Sequence, residues 1–138
     1  MFGFVFKTGV TRNMATLEEM LSNATETVAK VSADEARELL AGGDALLVDV
    51  RDPPELLAAG KLKGAQNVSR GMLEFRADAE AKSYDPEFRK DRPIILYCAS
   101  GGRSALAGKT LQQMGFAEVY NLGGFKEAVE SGFPTEPA

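Results

Sequence analysis

The sequence predicts an α/β fold: a central, mostly parallel sheet with helices on both faces, preceded by an N-terminal helix. Two apolar runs, residues 45–50 and 93–97, have the continuous hydrophobic character of strands buried on both sides. Helical patterns alternate with these runs along the chain. Strands that alternate with helices are usually joined by parallel crossovers, so this order favours one parallel sheet covered on both faces.

Capping boxes mark the start of the first two predicted helices, at Thr16 to Glu19 and at Ser32 to Glu35. The first helix is amphipathic and lies in an N-terminal extension, residues 1–30. Its apolar face either packs on the following domain, residues 31–138, or docks a partner protein. The second helix ends at the Gly42-Gly43 pair.

The later elements follow from prolines, glycines and apolar spacing. Asp52-Pro53-Pro54 ends the first buried strand and starts a short helix. Met72 and Phe75 are predicted core residues of a helix, and Met114, Phe116 and Phe125 are also placed in the core. The remaining predicted elements are a weak strand at 65–68, helices at 71–79, 104–114 and 125–130, a loop at 80–92, a strand at 118–122, and a proline-containing tail.

The composition excludes several chemistries. The chain has 138 residues, one cysteine and no histidine, which suits one domain without an internal disulfide. A zinc site built from Cys and His lacks ligands, and a Ser-His-Asp or Cys-His pair lacks its base. We therefore expect neither a metal nor a cofactor.

Charge and hydropathy indicate the partners and the compartment. A net charge of −4 argues against nucleic acid, and no apolar run is long enough to cross a bilayer. The start, MFGFVF, is too short for a secretory signal and is interpreted as a floppy extension, so we expect a cytoplasmic protein. Residues 89–109 carry five basic side chains and one acidic one. This excess predicts either a local field for a small anion or a solvated surface.

The informative segment is YCASGGRS, residues 97–104. Cys98 lies at the carboxyl end of a predicted strand, where parallel sheets bind ligands. Gly101 and Gly102 let the backbone curl so that N–H groups converge on an anion, and the next helix adds its positive end. These effects favour the thiolate of Cys98. The alternative is an inert, buried cysteine.

Three further side chains are candidates for the same site. Arg103 provides a cationic fork for an oxyanion. The hydroxyls of Ser100 and Ser104 are potential donors to the sulfur or the substrate, although Ser104 is also a candidate helix cap. Arg70 is placed either at the pocket mouth, holding an anion, or on the surface.

With DVRDPPEL upstream and YNLGGFKEA downstream, CASGGRS resembles a single-domain rhodanese, or thiosulfate sulfurtransferase, from about Val31 to Phe133. The resemblance implies a rhodanese-like domain in which Cys98 accepts a sulfane sulfur as a persulfide. Ala99, Ser100, Gly101, Gly102 and Arg103 would then cradle the persulfide and the substrate. The implied partners are a small anionic sulfur donor and a thiol or protein acceptor. Asp49 and Arg51 match the family's DVR element and are expected to form a structural ion pair.

Relatives with one more loop residue between cysteine and arginine are phosphatases or arsenate reductases, so the four residues between Cys98 and Arg103 favour sulfur transfer. Sulfite is a weakly basic leaving group that needs no general acid, which agrees with the absence of histidine. The family's usual histidine and proline are missing from residues 60–67, and Phe125-Lys126-Glu127-Ala128 stands where a tryptophan is common. The rival function is a sulfur-carrier or regulatory binding module with little turnover. The sequence indicates no oligomeric state.

Overall fold

The computed structural model describes residues 15–138, so the MFGFVF segment lies outside the described residues. Within this range the helices are α1 (Leu17–Thr27), α2 (Ala33–Ala41), α3 (Pro53–Ala59), α4 (Leu73–Ala77), α5 (Gly102–Gln113) and α6 (Phe125–Glu130). The strands are β1 (Ala29–Lys30), β2 (Leu46–Asp49), β3 (Lys61–Leu62), β4 (Gln66–Asn67), β5 (Ile94–Cys98), β6 (Val119–Gly124) and β7 (Thr135–Glu136).

The predicted α/β architecture is confirmed. Five of the described strands form one parallel sheet in the order β1-β6-β5-β2-β4, while β3 and β7 form a separate antiparallel pair. Both predicted capping boxes are present, at Thr16 and at Ser32. They satisfy backbone N–H groups at the starts of α1 and α2 and therefore fix where each helix begins.

The central strand β5 divides the core into two layers. Ile94, Leu96 and Cys98 face one apolar cluster, which includes residues of α4 and α5, whereas Ile95 and Tyr97 face the cluster that includes residues of α2 and α6. Successive side chains of a strand point to opposite faces. This alternation places the sulfur of Cys98 on the α5 side of the sheet.

Helix α1 packs against α5. A Cβ added at Gly108 of α5 would lie 2.8 Å from Val28 Cγ1, so the absence of a side chain at Gly108 permits this close approach. Lys109 donates a hydrogen bond to Asn23 Oδ1, and Gln112 donates one to the carbonyl of Thr27. The buried residues of this segment are Ala24 of α1 and Val28 directly after it, while Leu17 and Met20 at the start of α1 are exposed.

A buried ion pair ends the first strong strand. The Arg51 guanidinium donates to both carboxylate oxygens of Asp49, at 2.7 to 3.1 Å, and also to the carbonyl of Gly60. Asp49 is 0% and Arg51 3% exposed. The guanidinium carbon also lies 4.3 Å from the ring centroid of Phe125. The expected ion pair between Asp49 and Arg51 is therefore present, and it is buried.

The structure differs from the prediction in the short elements. Strands β1, β3 and β7 were not predicted, because a two-residue strand has no periodicity to detect. The proline-containing tail contacts the domain, since Lys61 forms an ion pair with Glu136 at 2.7 Å. Met72 and Phe75 are not core residues, with exposures of 41% and 58%. A 3₁₀ turn precedes the short α4, whose buried residues are Leu73 and Ala77.

We predict that Arg51→Met lowers the free energy of unfolding by about 3–5 kcal/mol, since it leaves the Asp49 carboxylate buried without its partner. Urea unfolding measures the loss. The double variant Asp49→Asn/Arg51→Met should recover part of it, because no buried charge then remains. Arg89→Met is the control, since Arg89 pairs with Asp44 and Asp91 at the surface; equal losses in both single variants would contradict the prediction.

Candidate active site

The site is built at the carboxyl edge of the parallel sheet. β5 ends at Cys98, the neighbouring β6 ends at Gly124, and the two residues are register partners. The chain then passes through Ala99 and Ser100, which are exposed, into α5. Cys98 itself is only 1% exposed, so its sulfur lies at the floor of this loop.

Hydrogen bonds converge on the sulfur of Cys98. The Gly101 N–H donates to Sγ at 3.0 Å, and Ser104 Oγ lies 3.4 Å from Sγ. Burial alone would raise the pKa of the Cys98 thiol, but hydrogen bonds from the Ser104 hydroxyl and from the N–H groups of Ser104, Ser100 and Gly101 outweigh it and lower the pKa. The predicted bias toward the thiolate therefore has a geometric basis in residues 100–104.

Ser104 links the sulfur to β6 through Asn121. Its hydroxyl lies 2.7 Å from Asn121 Oδ1, 3.1 Å from the Gly101 carbonyl and 3.4 Å from Sγ. Asn121 Oδ1 also accepts from the Gly123 N–H at 2.9 Å. A hydroxyl has one hydrogen, so it serves one acceptor at a time. The capping role considered for Ser104 is wrong, because α5 begins at Gly102 with Gly101 as its N-cap.

Glycines set the shape of the loop. Gly101 has φ +101°, which is left-handed backbone, and a Cβ there would lie 3.3 Å from Gly123 Cα. A Cβ at Gly124 would lie 2.7 Å from the carbonyl oxygen of Ala99. The Gly123-Gly124 pair at the end of β6 therefore leaves the space that the loop at 99–101 occupies.

Arg103 forms an ion pair that the sequence did not predict. Its guanidinium donates to both carboxylate oxygens of Glu55 in α3, at 2.8 and 2.9 Å. The hydrogen bond from Arg103 lowers the pKa of Glu55 to about 2, and Glu55 in turn raises the pKa of Arg103. The charge of the fork is therefore balanced locally. The glutamate stands in the DVRDPPEL segment, but nothing in the sequence alone pairs it with the loop.

The structure does not bring Arg70 to the loop. Its guanidinium contacts Glu74 and Thr110, and Arg70 lines a cavity of about 360 Å³ between α1 and α5. Its proposed role as an anion-binding residue therefore has no contact with residues 98–104 to support it.

The basic segment 89–109 does not form one field. Arg89 and Arg92 precede β5 and so lie at the opposite edge of the sheet from Cys98. Both are paired, Arg89 with Asp44 and Asp91, and Arg92 with Glu87. The predicted local field at residues 89–109 is therefore wrong, because the count added side chains from opposite ends of β5 and from α5.

The comparisons agree on a family. A family model described as "Rhodanese-like domain" matches residues 32–131. The chain is 34% identical over 110 residues to thiosulfate sulfurtransferase GlpE of Ectopseudomonas mendocina, covering 79% of this chain and 91% of that protein. It is 40% identical over 84 residues to an uncharacterized protein of Bacillus subtilis, covering 60% of each. The chain thus spans less than two thirds of the latter protein's length.

Two solved structures have different descriptions. One, from Rhodopseudomonas palustris, is a protein of unknown function described as a possible tyrosine phosphatase. It is 35% identical with a TM-score of 0.82, covering 93% of this chain and 100% of that one. The other is a polysulfide-sulfur transferase homodimer from Wolinella succinogenes, 37% identical with a TM-score of 0.68, covering 86% and 85%.

We predict that Gly124→Ala weakens the activation of Cys98. The new Cβ would displace the Ala99 carbonyl and with it the N–H groups that point to the sulfur, so alkylation by iodoacetamide at neutral pH should slow about three- to tenfold. The midpoint of the pH–rate profile should move to higher pH. Gly71→Ala is the matched control, since no atom lies within 4 Å of a Cβ there. An unchanged midpoint in Gly124→Ala would count against this account of the loop.

We predict that the Glu55–Arg103 pair stabilises the fold above about pH 4.5 and loses this effect toward pH 2. The folded-state pKa of Glu55 is about 2 against an ordinary 4.5, so protonation below 4.5 favours the unfolded chain. Near neutral pH, the free energy of unfolding of the wild-type protein should exceed that of Glu55→Gln by about 1 kcal/mol or less, since the pair is partly exposed. The test is the urea unfolding midpoint of both proteins across this pH range: the difference between the two midpoints should vanish toward pH 2. The control is Glu80→Gln, because Glu80 is exposed and forms no ion pair within residues 15–138. It should show no such pH-dependent difference from the wild type.

Proposed function

The chain belongs to the rhodanese-like domain family, whose sulfurtransferase-named members support sulfur transfer in general, and we propose that Cys98 performs it here through a persulfide. The observation that supports this most directly is the convergence of the Gly101 N–H, at 3.0 Å, and the Ser104 hydroxyl on one sulfur. These donors would stabilise the thiolate before the reaction and the terminal sulfur anion after it.

In the first step, the Cys98 thiolate attacks the outer sulfur of thiosulfate. The new bond joins Sγ to that sulfur, the sulfur–sulfur bond of thiosulfate breaks, and sulfite leaves with the bonding electron pair. In the second step, an acceptor thiolate or cyanide attacks the outer sulfur of the persulfide, and the electron pair returns to Sγ. Neither step requires a proton from the protein, which suits a chain without histidine.

The acceptor must come from outside the chain. Cys98 is its single cysteine, so a persulfide cannot collapse into an internal disulfide. We propose a small anionic sulfur donor, for which thiosulfate and polysulfide are the two probes, and a thiol as the cellular acceptor.

A phosphatase is the second candidate, because the Rhodopseudomonas palustris neighbour is described as a possible tyrosine phosphatase. Two features weigh against it. Only four residues separate Cys98 from Arg103. In addition, both terminal nitrogens of Arg103 already donate hydrogen bonds to the Glu55 carboxylate. A phosphate would have to compete with that carboxylate for the guanidinium.

We predict that incubation with thiosulfate adds the mass of one sulfur atom to the intact protein and that cyanide removes it. Cys98→Ser should take up no sulfur and should lower the thiosulfate:cyanide transfer rate by about 10³-fold or more, because it removes the nucleophile. Mass spectrometry and thiocyanate release measure the two effects.

Polysulfide in place of thiosulfate tests the choice of donor, and a generic aryl phosphate ester tests the rival. An adduct that persists in Cys98→Ser would refute the persulfide at this residue. Phosphate release that depends on Cys98, without sulfur uptake, would replace the proposal with the phosphatase.

A further inference from the structure

A cavity of about 310 Å³ lies between α1 and the Cys98 loop. Ser100, Gly101 and Gly102 of the loop line one side, and Leu21 and Val28 line the α1 side. The volume is at the lower end of the range for small-molecule sites. The cavity is therefore of a size for a compact organic molecule rather than a polypeptide.

The cavity is close to the sulfur. Gly101 lines it, and the N–H of the same residue lies 3.0 Å from Cys98 Sγ. In a persulfide the outer sulfur would stand about 2 Å beyond Sγ. For a thiol in this cavity to react, the outer sulfur must lie on the side of Sγ that faces Gly101.

Lys30 gives the cavity a positive charge. It ends β1 at the same edge of the sheet as Cys98, and its Nζ would lie 3.5 Å from a Cβ built at Gly123. Glu127 Oε1 approaches the same point, at 3.9 Å, without forming an ion pair with it. Within residues 15–138 Lys30 has no ion-pair partner, and residues 1–14 contain no Asp or Glu. Arg103, by contrast, is neutralised by Glu55.

We propose that this cavity binds the sulfur acceptor and that Lys30 selects an organic thiol carrying a carboxylate. The α1 side contributes apolar side chains, including Leu21 and Val28. These side chains favour the burial of a hydrocarbon group and do not compensate the dehydration of a dianion such as thiosulfate. The carboxylate would lie at the Lys30 ammonium and the thiol toward the loop. This inference rests on the proposed function and names the acceptor class of the same site.

The step is a sulfur transfer with balanced electrons. The acceptor thiolate forms a bond to the outer sulfur of the Cys98 persulfide, and the bond between that sulfur and Sγ breaks. The electron pair of the broken bond returns to Cys98 as thiolate, and the acceptor leaves as an organic persulfide. Lys30 takes no part in bond making; it is a specificity-determining residue.

The test compares two thiols of nearly equal shape, 3-mercaptopropionate and its uncharged amide, as acceptors for the thiosulfate-loaded protein. Lys30→Met should lower kcat/KM for the carboxylate about fivefold relative to the amide, the size of a partly exposed charge pair. Lys30→Arg should retain the wild-type ratio. Lys82→Met, which removes an exposed lysine from the loop at 80–92, is the matched control and should leave the ratio unchanged.

Equal effects of Lys30→Met on both thiols, or no effect on either, would overturn the inference. Loading with sulfur from thiosulfate should proceed normally in every Lys30 variant, because that step does not use the acceptor cavity. Failure of the proposed function would be visible separately, as the absence of the sulfur adduct in the wild-type protein.

Discussion

The hydrogen bond from the Gly101 N–H to the sulfur of Cys98 constrains the whole site. After that N–H, the chain takes left-handed backbone at Gly101, with φ +101°, and turns directly into α5 at Gly102. The turn has room only because Gly123 and Gly124 present no side chain beneath it. The activation of one thiol therefore depends on three glycines, Gly101, Gly123 and Gly124, and on Asn121, whose side chain links Ser104 to β6.

The sequence predicted the long elements and the position of Cys98 at the end of a buried strand because both depend on local signals. Capping boxes, apolar runs and the glycine loop after β5 are properties of neighbouring residues, and the structure reproduces them. Contacts between distant segments carry no such signal. The Glu55–Arg103 pair spans 48 positions, and the contact between Gly124 and the Ala99 carbonyl depends on the register of β5 against β6.

The same limit explains the wrong predictions. Met72 and Phe75 were assigned to the core by their apolar character, but α4 is too short to bury more than the side that carries Leu73 and Ala77. The excess of charge in residues 89–109 was summed along the chain, although the two ends of a strand lie at opposite edges of a sheet. Sequence proximity indicates spatial proximity only within one element.

The neutralised Arg103 also bears on how a site with one cysteine turns over. In the proposed reaction a dianionic donor arrives, a persulfide anion remains, and sulfite must leave. A free arginine at the loop would hold sulfite as firmly as thiosulfate, since both are small oxyanions. With Arg103 held by Glu55, the loop offers mainly neutral donors aimed at one atom, and these donors favour charge on the bound sulfur rather than on a departing anion. Lys30, which forms no ion pair within residues 15–138, then lies in the cavity beside the loop, where it would act on the acceptor rather than retain the first product.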